Sequence, residues 1–190
     1  MIKKVKIFNR FHMDNFVKTG GLNFPYYGQV WYLISIYGHD GVLLDENAKR
    51  ILTEMGCRGF LSLEFWDIVE KEFESVHNRY PDASLFSNNQ AKQVVEFLGK
   101  IQKEKGEDSI LVTHCHAGIS RSGAIGTFTN DYCELDYDAF LKENPSIIAN
   151  QYVLRLLKKA AGIIPSFGWH EGVDENKDDG IIVPLNYKKE

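Results

Sequence analysis

"SILVTHCHAGISRSGAIG" (residues 109–126) joins a run of apolar residues to a cysteine, a short turn and an arginine that opens a helical pattern. The run Ser109–Cys115 has the length and composition of a strand buried in a central sheet. Beyond it, Ala124, Ile125, Phe128 and Tyr132 recur at helical spacing, predicting a helix from Arg121 to about Cys133. Residues 116–120 are then a five-residue loop between strand and helix, and Gly118 permits a backbone turn that a Cβ would obstruct. Loop amides and a helix start both present partial positive charge, so phosphate is a natural guest. Arg121 adds a planar fork that matches two phosphate oxygens at once. A thiol amid such donors is expected to ionise more readily than a free one. Ser122, next to the arginine, can hydrogen-bond the sulfur and steady it as a leaving group.

Outward from this stretch, strands alternate with helices. "VKIFNRF" (5–11), "VWYLISIY" (30–37) and "GFLSLEFWDI" (59–68) read as strands, with "KTGGLNFPYYG" a Gly/Pro-punctuated loop between the first two. A helix from the cap Asp45 to Gly56 presents Ala48, Ile51, Leu52 and Met55 on one face. Ser87 and Gln90 form a capping box, followed by Ala91, Val94, Val95, Leu98 and Ile101 on one helical face. "DAFLKEN" and "NQYVLRLLKKAAG" are two further helices. The alternation predicts an α/β fold, a mainly parallel twisted sheet flanked by helices on both faces. The loop after Cys115 then lies at the carboxyl edge of the sheet, where ligands of open α/β sheets bind. Residues 1–170 read as one catalytic domain and 171–190 as an acidic tail.

At 190 residues the chain can bury a core without staples. Its 22 Lys+Arg against 26 Asp+Glu leave no footprint for nucleic acid, so an anion site must be local. No apolar stretch is long enough to span a bilayer, and the N-terminus does not read as a signal peptide. Three cysteines with no framework spacing favour a reducing cytosol. Oligomeric state is not legible.

The spacing Cys115-x5-Arg121-Ser122, preceded by His114, resembles the signature of the cysteine-dependent protein tyrosine phosphatase superfamily, in its dual-specificity-like branch. The resemblance implies a metal-free enzyme, without cofactor, that hydrolyses phosphate monoesters through a phosphocysteine. It makes Cys115 the nucleophile and Arg121 the phosphate clamp. The backbone of His116, Ala117, Gly118, Ile119, Ser120 and Arg121 becomes the phosphate cradle. "FLSLEFWD" (60–67) looks like the strand that ends in the family's general acid, and "IIANQYVLRLL" is similar to the Asn-containing helix start that packs behind its loop. The implied partner is a phosphorylated protein, on tyrosine or also on serine and threonine, or another phosphomonoester.

Two aspartates compete for the acid. Asp67 closes its strand in the family's manner but lies 48 residues before Cys115; Asp82, in "NRYPDASLF", lies 33 before it. An insertion, "IVEKEFESVHNRYP", after an orthodox strand end favours Asp67, with Asp82 as the alternative. Other readings compete as well. His114, Cys115 and His116 could hold a metal, but Cys57, Cys133 and His170 supply no recognisable ligand spacing. His114 reads instead as a structural residue whose ring hydrogen-bonds nearby backbone, and His116 as an exposed loop residue. Cys57 and Cys133 read as core thiols, and the aromatic cluster "FPYYGQVWY" as core packing rather than a substrate wall. Trp66 either shields the acid or fills the core, and "GWH" (168–170) has no reading. A phosphate-binding module without turnover, an arsenate-reductase- or rhodanese-like enzyme, an RNA 5′-triphosphatase and a phosphoinositide phosphatase are the rival functions. The loop 116–120 has no lysine to read several phosphates, and the charge balance is not that of an RNA enzyme.

Overall fold

The computed structural model describes residues 1–38, 44–104 and 106–163. The acidic tail and "GWH" lie outside them. Four parallel strands form one sheet in the order β1-β4-β2-β3, with β1 Ile2–Asn9, β2 Trp31–Tyr37, β3 Cys57–Glu64 and β4 Ser109–Cys115. β4 lies between β1 and β2 and is buried along its whole length, as its unbroken apolar run requires. Register brings Asn9 opposite Cys115, Ser35 opposite His114 and Tyr37 opposite Glu64, so the strands end along one edge.

Seven helices accompany the sheet among the described residues: α1 Arg10–Lys18, α2 Glu46–Glu54, α3 Glu70–Arg79, α4 Asn88–Lys103, α5 Arg121–Tyr132, α6 Tyr137–Glu143 and α7 Gln151–Ala160. Strand alternation sorts the core into two layers. Tyr32, Ile34, Ile36, Leu111 and Cys115 pack with α4 to α7, through residues such as Leu98, Ile125, Phe140 and Val153. Trp31, Leu33, Ile110 and Val112 pack on the other face with Met13 and Phe16 of α1 and Leu52 of α2. Phe24, Tyr26, Trp31 and Tyr32 of the aromatic cluster are buried in these cores.

The capping box on α4 is present in full, Ser87 accepting from the Gln90 amide while the Gln90 side chain accepts from that of Ser87. Asp45 caps α2 as expected. Two local expectations are corrected. The first strand stops at Asn9, because the Asn9 side chain accepts from the His12 amide and starts α1, so Arg10 and Phe11 are helical. The third strand stops at Glu64; Phe65 still donates to the Tyr37 carbonyl, but the Trp66 amide turns to Ser84. The insertion after Asp67 contains α3, whose Glu70 and Glu72 sit in the first turn and His77 and Arg79 in the last, as the helix dipole favours.

Candidate active site

The site grows from the end of β4. Adjacent strand residues point to opposite faces, so Cys115 turns toward α5 and His114 toward α1 and α2. That alternation separates the two side chains, and no three His, Cys, Asp or Glu side chains converge as metal ligands among the described residues. His114 is 8% exposed, and its Nδ1 meets no hydrogen-bond partner among the described residues; the expected bond from that nitrogen to backbone is not formed. Burial, with the Arg10 and then the Arg121 guanidinium nearby, pushes its imidazole down to about 4, so it is neutral near pH 7. His116 is exposed.

After Cys115 the chain is held on both sides by its surroundings. The His116 carbonyl accepts from the Arg10 amide at 3.1 Å, the Ile119 carbonyl from Ile148 at 3.2 Å, and the Ser120 carbonyl from Ala124 at 2.8 Å and Asn150 at 3.2 Å. Among the described residues, the amides of Ala117 to Arg121 meet no acceptor. Gly118 takes φ +71°, and a Cβ there would come within 2.8 Å of the Asn9 nitrogen and the Phe8 carbonyl. The loop therefore presses directly on the end of β1, a contact only glycine permits at this position.

Beneath the loop, Cys115 Sγ lies 3.1 Å from Ser122 Oγ, with both residues buried. Arg121 is also buried, and its Nη1 donates to the Phe65 carbonyl at 2.9 Å. The guanidinium is thus braced by the residue two before Asp67. Asp67 itself is exposed and reaches the loop: its Oδ1 accepts from Ser120 Oγ at 2.7 Å and from Asn150 Nδ2 at 3.0 Å. Asp82 lies in an exposed turn after α3, and no hydrogen bond among the described residues joins it to the loop. The structure brings together Cys115, Ser122, Arg121, Ser120 and Asp67, and leaves Asp82 apart.

Three participants carried little or no signal in the sequence. Asn9 and Arg10 approach the loop only because β1 pairs with β4. Asn150 sits in the helix start singled out as packing behind the loop, but its link to Asp67 spans 83 residues. Trp66 is half-buried with its ring 5.3 Å from Tyr80, beside Asp67 rather than in the core. A cavity of about 180 Å³ adjoins the loop on the other side, walled by Arg10, Met13, Ile36, Leu52, His114 and Arg121. The other two thiols are removed from this chemistry: burial pushes Cys57 up to about 12 and Cys133 up to about 11.

No family model and no curated protein matches the chain. Among solved structures, it is similar to the crystal structure of Tk-PTP in the active form. That match has a TM-score of 0.45 and 16% identity, and covers 85% of this chain and 93% of the other. It is also similar to a crystal structure of a glycine-to-alanine mutant form of Tk-PTP, with a TM-score of 0.42 and 15% identity over the same shares. The parallel α/β sheet, with the loop between its buried strand β4 and helix α5, is the layout implied by the resemblance to cysteine-dependent phosphatases.

Proposed function

We propose that this protein is a cysteine-dependent phosphatase acting on phosphate monoesters, with protein phosphotyrosine as the preferred substrate. One observation carries the reading: a buried cysteine hydrogen-bonded to Ser122 at the start of α5, with Arg121 and Asp67 drawn onto the same loop. The loop amides and the helix N-terminus bind the phosphoryl oxygens, and Arg121 clamps two of them. The Cys115 thiolate attacks phosphorus, the ester P–O bond breaks, and Asp67 gives its proton to the departing oxygen. Water then attacks the phosphocysteine and gives a proton to the Asp67 carboxylate. The S–P bond breaks, Ser122 donates to the leaving thiolate, and inorganic phosphate departs. The sum is one ester and one water converted to one alcohol and one phosphate.

Protein phosphotyrosine is the first substrate to test, ahead of phosphoserine and phosphothreonine. Every group in this scheme lies within residues 1–170, the span read as a single catalytic domain. A reducing compartment such as the cytosol would keep Cys115 a thiol. No helix among the described residues is long and apolar enough to cross a membrane.

The test is hydrolysis of an aryl phosphate with and without chelator, by wild type and Cys115→Ser. Chelator-insensitive turnover in wild type, lost by at least about 10³-fold in the variant, is the expected result. Phosphate binding without turnover in wild type would instead make the protein a phosphate-reading module. Turnover retained in Cys115→Ser would overturn the scheme.

A further inference from the structure

Given the phosphatase reading, on which this inference rests, we infer that Ser120 and Asn150 are positioning residues for the general acid. Together they direct its transferable proton to one named oxygen, Oδ2 of Asp67. Both donors converge on the other oxygen. Ser120 Oγ reaches Asp67 Oδ1 at 2.7 Å and Asn150 Nδ2 reaches the same atom at 3.0 Å. An oxygen that accepts two hydrogen bonds is a poor place for a proton, because the proton would face a second donor.

Asn150 cannot reverse this by turning its amide over. Its Oδ1 accepts from the Val153 amide at 3.1 Å and caps α7, so Nδ2 must face Asp67. Its own amide donates to the Ser120 carbonyl at 3.2 Å, which fastens the α7 start to the loop. Asn150 is 8% exposed, so its amide dipole acts with little screening by water. Arg121 adds a third tie through the Phe65 carbonyl. The segment carrying the acid is therefore bound to the phosphate cradle at residues 65 and 67, and Asp67 is aimed by the same loop that grips the phosphate. Oδ2 remains to meet the ester oxygen and, in the second step, the attacking water.

The variants Asn150→Asp, Ser120→Ala and Ser120→Thr separate this role from a merely structural one. Aspartate caps a helix as well as asparagine but offers Asp67 a carboxylate in place of a donor. Threonine keeps the hydroxyl that alanine removes. The readout is kcat/KM on two esters: phenyl phosphate, whose leaving group needs a proton, and 2,4-dinitrophenyl phosphate, whose leaving group is stable as an anion. Asn150→Asp and Ser120→Ala should lower the phenyl-to-dinitrophenyl ratio by roughly ten-fold or more, and Ser120→Thr should restore it. Introduced into Asp67→Asn, neither change should lower the ratio further. An unchanged ratio, or an equal fall on both esters, overturns the inference. Failure of the phosphatase reading has a different signature: wild type hydrolyses neither ester, or Cys115→Ser retains turnover.

Discussion

Residues 109–132 and residues 65–86 meet at the same site, but they are held there in different ways. The first stretch is buried along its whole strand and most of its helix, with Phe128, Ile125 and Ala124 inaccessible to solvent. The second leaves the sheet at Glu64, exposes Asp67, and continues into α3, a helix with no buried residue. Burial makes the position of Cys115 a property of the core. The position of Asp67 depends on hydrogen bonds from Ser120 and Asn150, with a third from Arg121 to the Phe65 carbonyl two residues before it. The lesson is that a buried side chain such as Cys115 is placed mainly by packing, while an exposed one such as Asp67 needs tethers to hold it at the same loop.

The sharpest way to break this comparison is to remove Asp67, the proposed proton donor. Asp67→Ala should lower kcat/KM on phenyl phosphate by roughly 10²–10⁴-fold, whereas Asp82→Ala should leave it within about two-fold. The reverse pattern would move the acid to the turn after α3. Next in size is the core of the buried stretch. Phe128→Ala should cost about 3–5 kcal/mol of unfolding free energy in urea titration, because the cavity it leaves cannot fill.

A third expectation concerns pH. The folded value of His114 is pushed down to about 4, below the ordinary 6.5, so between these values the unfolded chain takes up a proton that the folded chain refuses. The His114 contribution to stability is thus full above pH 6.5 and lost as pH falls toward 4, to the extent of roughly 3 kcal/mol. Stability measured from pH 7 to pH 4 should fall less steeply in His114→Gln than in wild type. Equal slopes would mean that this imidazole is not held neutral by its surroundings. The smallest effect is expected on α3: Phe73→Ala, at a half-buried position, should change unfolding free energy by less than about 1 kcal/mol. A loss as large as that of Phe128→Ala would show that α3 is part of the core after all.

The same contrast explains what could be read in advance. The segment from Ser109 to Tyr132 is legible because burial on both sides of β4 imposes the apolar run directly on the sequence, and because Ala124, Ile125, Phe128 and Tyr132 keep helical spacing within a helix that is buried over most of its length. The capping box at Ser87 is legible because its partners are three residues apart. α1 was hidden by "FNRF", whose aromatic character reads as strand, although Asn9 is a helix cap. α3 was hidden because it buries no residue fully and only Phe73 and Val76 mark its half-buried face; its charge order, acidic first and basic last, was a further signal. Asp67 and Asp82 could not be separated by spacing, since the choice depends on where α3 carries the intervening chain.

By itself, then, the sequence determined the strand, loop and helix around Cys115 and the parallel α/β class, and it set a thiol six residues before Arg121. These follow from local periodicity and from residue types at short spacing. Only the tertiary structure decided which aspartate meets the loop, that Ser120 and Asn150 both grip its Oδ1, and that Gly118 must fit against the end of β1. Those contacts join residues 53, 83 and more than 100 positions apart, and the pairing of strands, not any local preference, brings them within hydrogen-bond reach.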